Sequence, residues 1–338
     1  MTPANRVPRN SALDFTKGAL VLFMVLYHWN NYFFGAHDNR YLRFLTPSFI
    51  FISGFIVSNI YLSKYGTADP QLPKRLFERG LKILGVFFVL NFTRDALVRF
   101  AGQDQSVAAH WTPQSLIDIY VVGNGVGGGQ GKAVAFFVLV PIGYLLILSA
   151  LLVMLFRYFR YVFHLFAALF LVAIGVLYFA GAQSPNLELL AIGLLGVIAG
   201  YLPVDRVNSL VRHPFTLCLA YLAYLAAITR WNVRYPLQII GVYLTLMIIY
   251  LVGLKSGEPG TLRGWVILLG KYSLYGYIAQ IAILQLLHVA LKTLTPPLLL
   301  LAVSFVLAFV LTVVSVEILD RLRRRSALLD SAYKAVFA

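Results

Sequence analysis

The sequence predicts an all-α polytopic membrane protein, a bundle of about ten transmembrane helices whose N- and C-termini are both cytoplasmic. Three observations support this prediction: the composition, the spacing of long apolar runs and the distribution of basic residues. Hydrophobic residues make up 60% of the 338 residues and charged residues 12%, and the mean hydropathy is +0.79. Soluble globular domains contain about 25% charged residues, so this composition excludes an ordinary soluble fold.

Long apolar runs separated by polar segments recur along the whole chain. A run of about 20 apolar residues is enough to cross a bilayer as a helix. The third predicted span is short, because extending it toward Phe100 would bring Arg94 and Asp95 into the hydrocarbon layer. The predicted spans cover residues 12–34, 46–62, 80–92, 133–156, 162–179, 187–202, 214–228, 237–254, 264–289 and 297–319.

The basic residues indicate orientation in the membrane rather than nucleic-acid binding. The net charge is +15, but Lys and Arg lie mainly in the polar segments between apolar runs. With a cytoplasmic N-terminus, the inner segments hold more Lys and Arg than the outer ones, as the positive-inside rule requires. The RLRRR run at 321–325 then anchors the C-terminus on the same side. We therefore exclude a nucleic-acid partner and expect membrane lipid around the chain.

The first predicted span carries polar residues that a purely structural apolar helix would not need. Asp14 and Lys17 are three residues apart, and His28 lies eleven residues after Lys17. At about 100° and 1.5 Å per residue, His28 returns to within about 20° of the face of Lys17, roughly 16 Å away. A charge in hydrocarbon costs about 2.5 to 3.5 kcal/mol, so such residues usually face the bundle interior and mark a substrate path. The alternative is an interfacial position, with Lys17 extended toward water.

The other candidates for chemistry are fewer. His37 lies in the short outer turn after the first span, and we take it as the second candidate for a reactive histidine. Lys271, inside the predicted ninth span, is expected to face the interior or a water-filled cavity, together with Tyr272, Ser273, Tyr277 or Gln280. Cys218 is the single cysteine, and no metal-ligand spacing occurs, so no metal site is predicted.

A polar inner segment, residues 63–82, places Arg75, Arg79 and Lys82 three or four residues apart on one helical face. Arginine supplies a planar fork that matches phosphate oxygens, so this face is a candidate phosphate clamp. The alternative is ordinary positive-inside anchoring with contact to lipid headgroups. A polar outer segment, residues 93–132, contains the glycine-rich run GNGVGGGQGK. Because no Ser or Thr follows Lys132 and the run lies outside, we interpret it as a flexible flap rather than a nucleotide site.

Four segments together resemble the membrane-bound acyltransferase type 3 family in order, spacing and span count. The most specific element is an Asp, a basic residue followed by Gly, and a His eleven positions after the basic residue; Asp14, Lys17, Gly18 and His28 match it. The basic position is usually arginine in the family, and a histidine is common where this chain has Gln280. The chain also resembles, more distantly, the heparan-glucosaminide acetyltransferase and glucan-succinylating groups. The four segments are ALDFTKGALVLFMVLYHW (12–29), FIFISGF (49–55), KRLFERGLK (74–82) and LGKYSLYGYIAQ (269–280).

The resemblance implies one transmembrane acyltransferase-like domain over residues 1–338, ending in a short basic cytoplasmic tail at 320–338. It implies transfer of an acyl group, usually acetyl, from cytosolic acetyl-CoA or another acyl-CoA to a hydroxyl or amine of an extracytoplasmic glycan or lipid-linked sugar. The host membrane would be the bacterial inner membrane. The site expected from it combines catalytic His28, Asp14, Lys17 and His37 with donor-binding Lys17, Arg75, Arg79 and Lys82.

A different class of function stays open from the sequence alone, namely a secondary transporter or flippase of a polar or lipid-linked sugar. Such a protein would also need a polar path through about ten spans. The hydropathy pattern contains no paired interrupted helices and no two-fold repeat, which many such transporters have. The sequence therefore favours acyl transfer over transport.

Overall fold

The computed structural model describes residues 10–34, 40–66, 69–100, 112–123, 134–231, 235–257, 260–291 and 297–337. Throughout these ranges the regular structure is helical, with no strand, which confirms the predicted all-α class. Short π-helical turns continue the first, second and fifth helices, at Asn30–Phe34, Val57–Leu62 and Ile117–Val122. The helices are α1 (Ser11–Trp29), α2 (Leu45–Ile56), α3 (Ser63–Tyr65), α4 (Gln71–Phe100), α5 (Pro113–Leu116), α6 (Leu139–Phe156), α7 (Val162–Phe179), α8 (Pro185–Ala199), α9 (Val204–Leu210), α10 (Pro214–Arg230), α11 (Tyr235–Lys255), α12 (Thr261–Lys271), α13 (Ser273–Leu291), α14 (Pro297–Arg325) and α15 (Ala327–Phe337).

Six helical segments within the described ranges are long and apolar enough to cross a membrane, or seven if α8 and α9, bent by 106°, form one span. The predicted number of about ten is therefore not confirmed. Helix α1 is outside this set, because Asp14, Lys17 and His28 lower its mean hydropathy. The six segments are Arg40–Tyr65, Leu139–Phe156, Val162–Phe179, Tyr235–Lys255, Ser273–Leu291 and Leu298–Arg325.

The predicted ninth span is two helices instead of one. Helix α12 ends at Lys271 and α13 begins at Ser273, so the chain breaks at Tyr272. The side chain of Lys271 is exposed, so it does not lie in the packed interior, which was one of the two expected positions. At the last residue of α12 a positive charge is favoured by the helix dipole, so Lys271 needs no buried partner.

The predicted third span and the basic segment before it form one long helix, α4. This helix continues to Phe100, so the first residues of the predicted outer segment, 93–100, are helical rather than loop. Arg94 and Asp95, which argued against a longer span, lie 3.9 Å apart (Nε to Oδ1) with little side-chain exposure. Of the remaining outer segment, α5 and its π-helical turn are described, whereas His110 and the glycine-rich run after Gly123 lie outside the described residues.

The chain divides into two compact units. The first unit comprises residues 1–48 and 204–338, and the second comprises residues 49–203. In the first unit, α1 packs against α11, α12, α13 and α14, and α10 packs against α11. In the second unit, α4 packs along α6, and α8 packs against α6 and α7. Helix α1 is thus surrounded by the later helices of its own unit.

Helices α1 and α12 touch through their backbones. A Cβ atom added at Gly18 would overlap the carbonyl oxygen of Val266, and one added at Gly270 would overlap the carbonyl oxygen of Asp14. The two glycines therefore lie at one crossing, each facing the main chain of the other helix. Small residues at helix crossings let membrane helices approach this closely. The second unit uses the same device where Gly54 of α2 faces the carbonyl oxygen of Gly193 on α8.

The α1–α12 crossing predicts a large penalty for a single methyl group. Replacing Gly18 or Gly270 by Ala should destabilise the protein by about 3 kcal/mol, the upper end of the range that is typical of overpacking. The reason is that a backbone carbonyl, unlike a side chain, cannot rotate away. The measurement is the thermal unfolding midpoint of the purified protein in detergent. Gly264 is the matched control on α12, because a Cβ atom there meets no heavy atom within 4 Å. Gly264→Ala should be neutral or stabilise through higher helix propensity, and equal effects at all three glycines would contradict the close crossing.

Candidate functional site

The start of α1 is fixed by a chain of side-chain hydrogen bonds. Asn10 caps the helix, its Oδ1 accepting from the backbone N–H of Leu13 at 3.1 Å. The Nδ2 of Asn10 donates to the hydroxyl of Tyr250 at 3.1 Å, and that hydroxyl donates to Oδ1 of Asn208 at 3.0 Å. An Asn cap satisfies one of the unpaired N–H groups of the first turn. The cap therefore anchors this end of α1 to α9 and α11.

Asp14 and Lys17 form the ion pair that their spacing predicts. The Nζ of Lys17 lies 2.7 Å from Oδ1 of Asp14, and the two side chains are 16% and 5% exposed. They sit at the crossing where the main chain of Asp14 meets Gly270. Two charges with so little exposure lose most of their hydration, and the attraction between them offsets part of that cost. The pair is thus part of the packed interior of the first unit and not a solvated surface pair.

An apolar stripe continues from this ion pair along α1. Val21, Met24 and Val25 are at most 2% exposed, which confirms that the face shared by Lys17 and His28 points inward. Helix α13 lies against this stripe, because a Cβ atom added at Gly276 would meet Cγ1 of Val21 at 3.3 Å. The helical rise separates the levels of Lys17 and His28 by about 16 Å.

His28 lies at the other end of the stripe. Its ring contacts the ring of Tyr27 edge to face, with 5.1 Å between centroids, and its Nε2 atom is shielded from solvent. Immediately after Trp29 the helix widens into the π-helical turn Asn30–Phe34, a distortion that is common near functional sites. The indole Nε1 of Trp29 donates to Oγ of Ser304 at 3.0 Å and ties this end to α14. His37 lies outside the described residues, so its role stays a prediction.

The predicted basic face lies on the first turns of α4, in the second unit. The Nη1 of Arg79 donates to the hydroxyl of Tyr61, and the Arg75 guanidinium lies over the ring of Tyr65, 4.6 Å from its centroid. The two tyrosine rings are stacked with 6.4 Å between centroids. Lys82, one turn further, is exposed.

The basic cluster, Arg75, Arg79 and Lys82 with Tyr61 and Tyr65, includes two tyrosines that the sequence-based prediction did not contain. Tyr61 and Tyr65 are four residues apart and therefore share one face of a helix, which is the signal that was present in the sequence. Their contacts limit the motion of the two guanidinium groups. The predicted site residues fall into two sets: the ion pair and His28 lie in the first unit, and the basic cluster lies in the second. Within the described residues no three His, Cys, Asp or Glu side chains form a metal-binding group.

The buried ion pair predicts non-additive effects on stability. Asp14→Asn or Lys17→Met alone leaves one poorly hydrated charge without its counter-ion and should cost about 3 to 5 kcal/mol. The double variant Asp14→Asn/Lys17→Met removes both charges and should recover a large part of that loss. The measurement is a double-mutant cycle on the free energy of unfolding in detergent. Additive losses in the double variant would show that the two side chains act independently.

Comparison with protein families matches residues 10–317 to the acyltransferase 3 family, whose model is described as an acyltransferase domain. No curated protein and no solved structure was matched. The matched range begins at the Asn10 cap and includes the ion pair, His28, the basic cluster and most of α14. It therefore confirms, over most of the chain, the resemblance found in four segments of the sequence. With its apolar membrane-length helices, the chain is an integral membrane protein that belongs to the acyltransferase 3 family.

Proposed function

We propose that the protein transfers an acyl group, most simply acetyl, from a cytosolic acyl-CoA to a hydroxyl or amine of a glycan on the other side of the membrane. One observation carries this proposal: the buried ion pair and His28 occupy opposite ends of one inward-facing stripe of α1. An acyl-CoA has a polyanionic head, a long narrow arm and a reactive thioester at the far end. Family membership supports acyl transfer in general and favours it over transport of a sugar.

The donor head is assigned to the basic cluster of α4. Arg75, Arg79 and Lys82 supply three positive charges on one face, and guanidinium groups pair with phosphate oxygens through two parallel hydrogen bonds. Tyr61 and Tyr65 already hold the two arginines, so less side-chain entropy is lost when an anion binds. In this proposal Lys17, held by Asp14, is a further donor-binding group, at the charged end of the α1 stripe.

The thioester is assigned to the level of His28, about 16 Å from Lys17 along α1. As general base, His28 takes the proton of the acceptor hydroxyl while the acceptor oxygen attacks the thioester carbonyl. The carbon–sulfur bond then breaks, and the CoA thiolate leaves with the electron pair of that bond and is protonated. His28 acting first as the nucleophile, through an acyl-histidine, is the alternative order of events.

The direction of transfer follows from the loop charges. By the positive-inside rule, the excess of Lys and Arg in the inner segments supports a cytoplasmic donor side. With a cytoplasmic N-terminus, the His28 end of α1 is the outer end of that helix. A bacterial inner membrane fits this arrangement, because acyl-CoA is cytosolic and envelope glycans are outside.

His28 should be essential to transfer and dispensable to donor binding. His28→Ala should reduce transfer of labelled acetyl to glycan in membranes. The expected loss is about 10² to 10⁴-fold, which is the contribution of a general base. Binding of acyl-CoA should persist, since the head is held elsewhere. His37→Ala at matched expression is the comparison, and it should retain substantial activity. Full activity of His28→Ala would remove this mechanism, and loss confined to His37→Ala would move the reactive residue to the outer turn.

The arginines of α4 should determine donor affinity. Arg75→Gln and Arg79→Gln should each weaken binding of acyl-CoA by about tenfold and flatten its dependence on salt, because charge-assisted hydrogen bonds are removed. Turnover at saturating donor should change less. Lys74→Gln is the matched control on the same helix: it removes an equal charge, but the Lys74 side chain is 76% exposed and lies 3.8 Å from Glu78. If all three variants lost acyl-CoA affinity equally, with the same salt dependence, the basic cluster would act only through general electrostatic attraction and not through specific hydrogen bonds.

A further inference from the structure

Gln280, near the middle of α13, is a buried polar side chain that the proposed mechanism does not use. It is 0% exposed, and neither its Nε2 nor its Oε1 has a hydrogen-bond partner. Burying an unpaired amide group costs about 1 to 3 kcal/mol, so a side chain of this kind in a packed interior calls for an explanation. An apolar residue of similar volume would avoid that cost.

The neighbours of Gln280 on its own helix show which way it faces. Gly276 and Leu284 lie one turn before and one turn after it on the same stripe of α13. Gly276 approaches Val21 of α1 and Val316 of α14, and Leu284 is in one buried cluster with Val25 and Ala308. Gln280 therefore lies on the face of α13 that packs against α1 and α14.

Its position along α1 falls between the two polar ends of the stripe. Helices α1 and α13 run in the same direction, because Gly276 meets Val21 and, twelve residues later, the ring of His288 lies 5.8 Å from that of Tyr32. On this register Gln280 is level with Met24 and Val25. It is thus about 5 Å before the level of His28 and about 11 Å beyond that of Lys17, at 1.5 Å per residue.

We propose that Gln280 is a donor-binding residue whose carboxamide pairs with the amide of the CoA arm nearest the thioester. A secondary amide offers one N–H and one carbonyl oxygen, and the Gln280 side chain offers an acceptor oxygen and two N–H donors. Three bonds separate the thioester sulfur from that amide nitrogen, about 4 Å at about 1.5 Å per bond. Pairing at Gln280 therefore brings the thioester to the level of His28. The inference rests on the proposed function, in which acyl-CoA is the donor.

The pairing also fixes how far the donor advances. A thioester carbonyl alone can only accept hydrogen bonds, so it would satisfy the N–H groups of Gln280 but not its oxygen. An amide satisfies both kinds of atom. The carboxamide is thus matched to the arm and leaves the thioester for the histidine, which makes Gln280 a binding residue that sets the position of the reacting carbon.

The test compares Gln280→Met with the wild-type protein in detergent, using two ligands in isothermal titration calorimetry. CoA should bind about tenfold more weakly to Gln280→Met, because its amide loses a buried partner. Adenosine 3′,5′-bisphosphate, which has the charged head but no arm, should bind both proteins equally. The unliganded variant should unfold at a higher temperature, because an unpaired buried amide has been replaced by an apolar group of similar volume. Gln285→Met is the matched control on α13, because the Nε2 of Gln285 already donates to the hydroxyl of Tyr32 at 3.2 Å. The affinity of the Gln285→Met variant for CoA should equal that of the wild type.

A second measurement does not depend on how well a variant folds. A CoA analogue with an ester in place of the amide nearest the thiol should bind the wild-type protein about tenfold more weakly than CoA. Gln280→Met should bind the two ligands alike. Equal affinity of the wild type for CoA and for the ester analogue would overturn the role of Gln280, and so would an equal loss of CoA and bisphosphate in Gln280→Met. A wild-type protein that binds no CoA would instead overturn the proposed donor.

Discussion

The close contact between the backbones of α1 and α12 is the constraint on which the candidate site depends. Only glycine at Gly18 and Gly270 allows it, because a Cβ atom at either position would overlap a carbonyl oxygen of the other helix. The crossing lies beside the Asp14–Lys17 ion pair and removes both side chains from solvent. The glycine that follows the basic residue in the family pattern therefore has a physical reason: it brings α12 against the charged end of α1.

A buried ion pair in an apolar bundle is a costly way to stabilise a fold, since apolar residues of similar volume often do as well or better. Its position at one end of an inward-facing stripe, with a histidine at the other end, is better explained by function. Gln280 fits the same explanation, because its unpaired amide lies between them on the neighbouring helix. Three polar features thus follow one line through a mainly apolar interior, as a path for an extended, partly polar substrate would require.

The sequence predicted the inward face of α1 well because that face depends only on helical periodicity, and Val21, Met24 and Val25 are buried as expected. It did not predict the break at Tyr272, because hydropathy is continuous from Gly264 to Val289 and carries no signal for a change of direction. The full length of helix α4 was not predicted, because the charges of Arg94 and Asp95 indicated the end of a membrane span although the helix continues to Phe100. Tyr61 and Tyr65 contact the arginines of α4 from a separate helical segment. Periodicity indicates that the two tyrosines share a face, but it cannot show which helix that face contacts.

Lysine in place of the family's usual arginine at position 17 changes how an anionic donor can be held. An ammonium group is a point charge, and here it is largely balanced by the carboxylate of Asp14 at 2.7 Å. The pair contributes a local dipole but little net charge, whereas capture of a polyanionic head requires net positive charge and planar donors. Arg75 and Arg79 supply both at the exposed start of α4. If acyl-CoA is the donor, affinity for its head should therefore reside mainly in the α4 arginines rather than in Lys17.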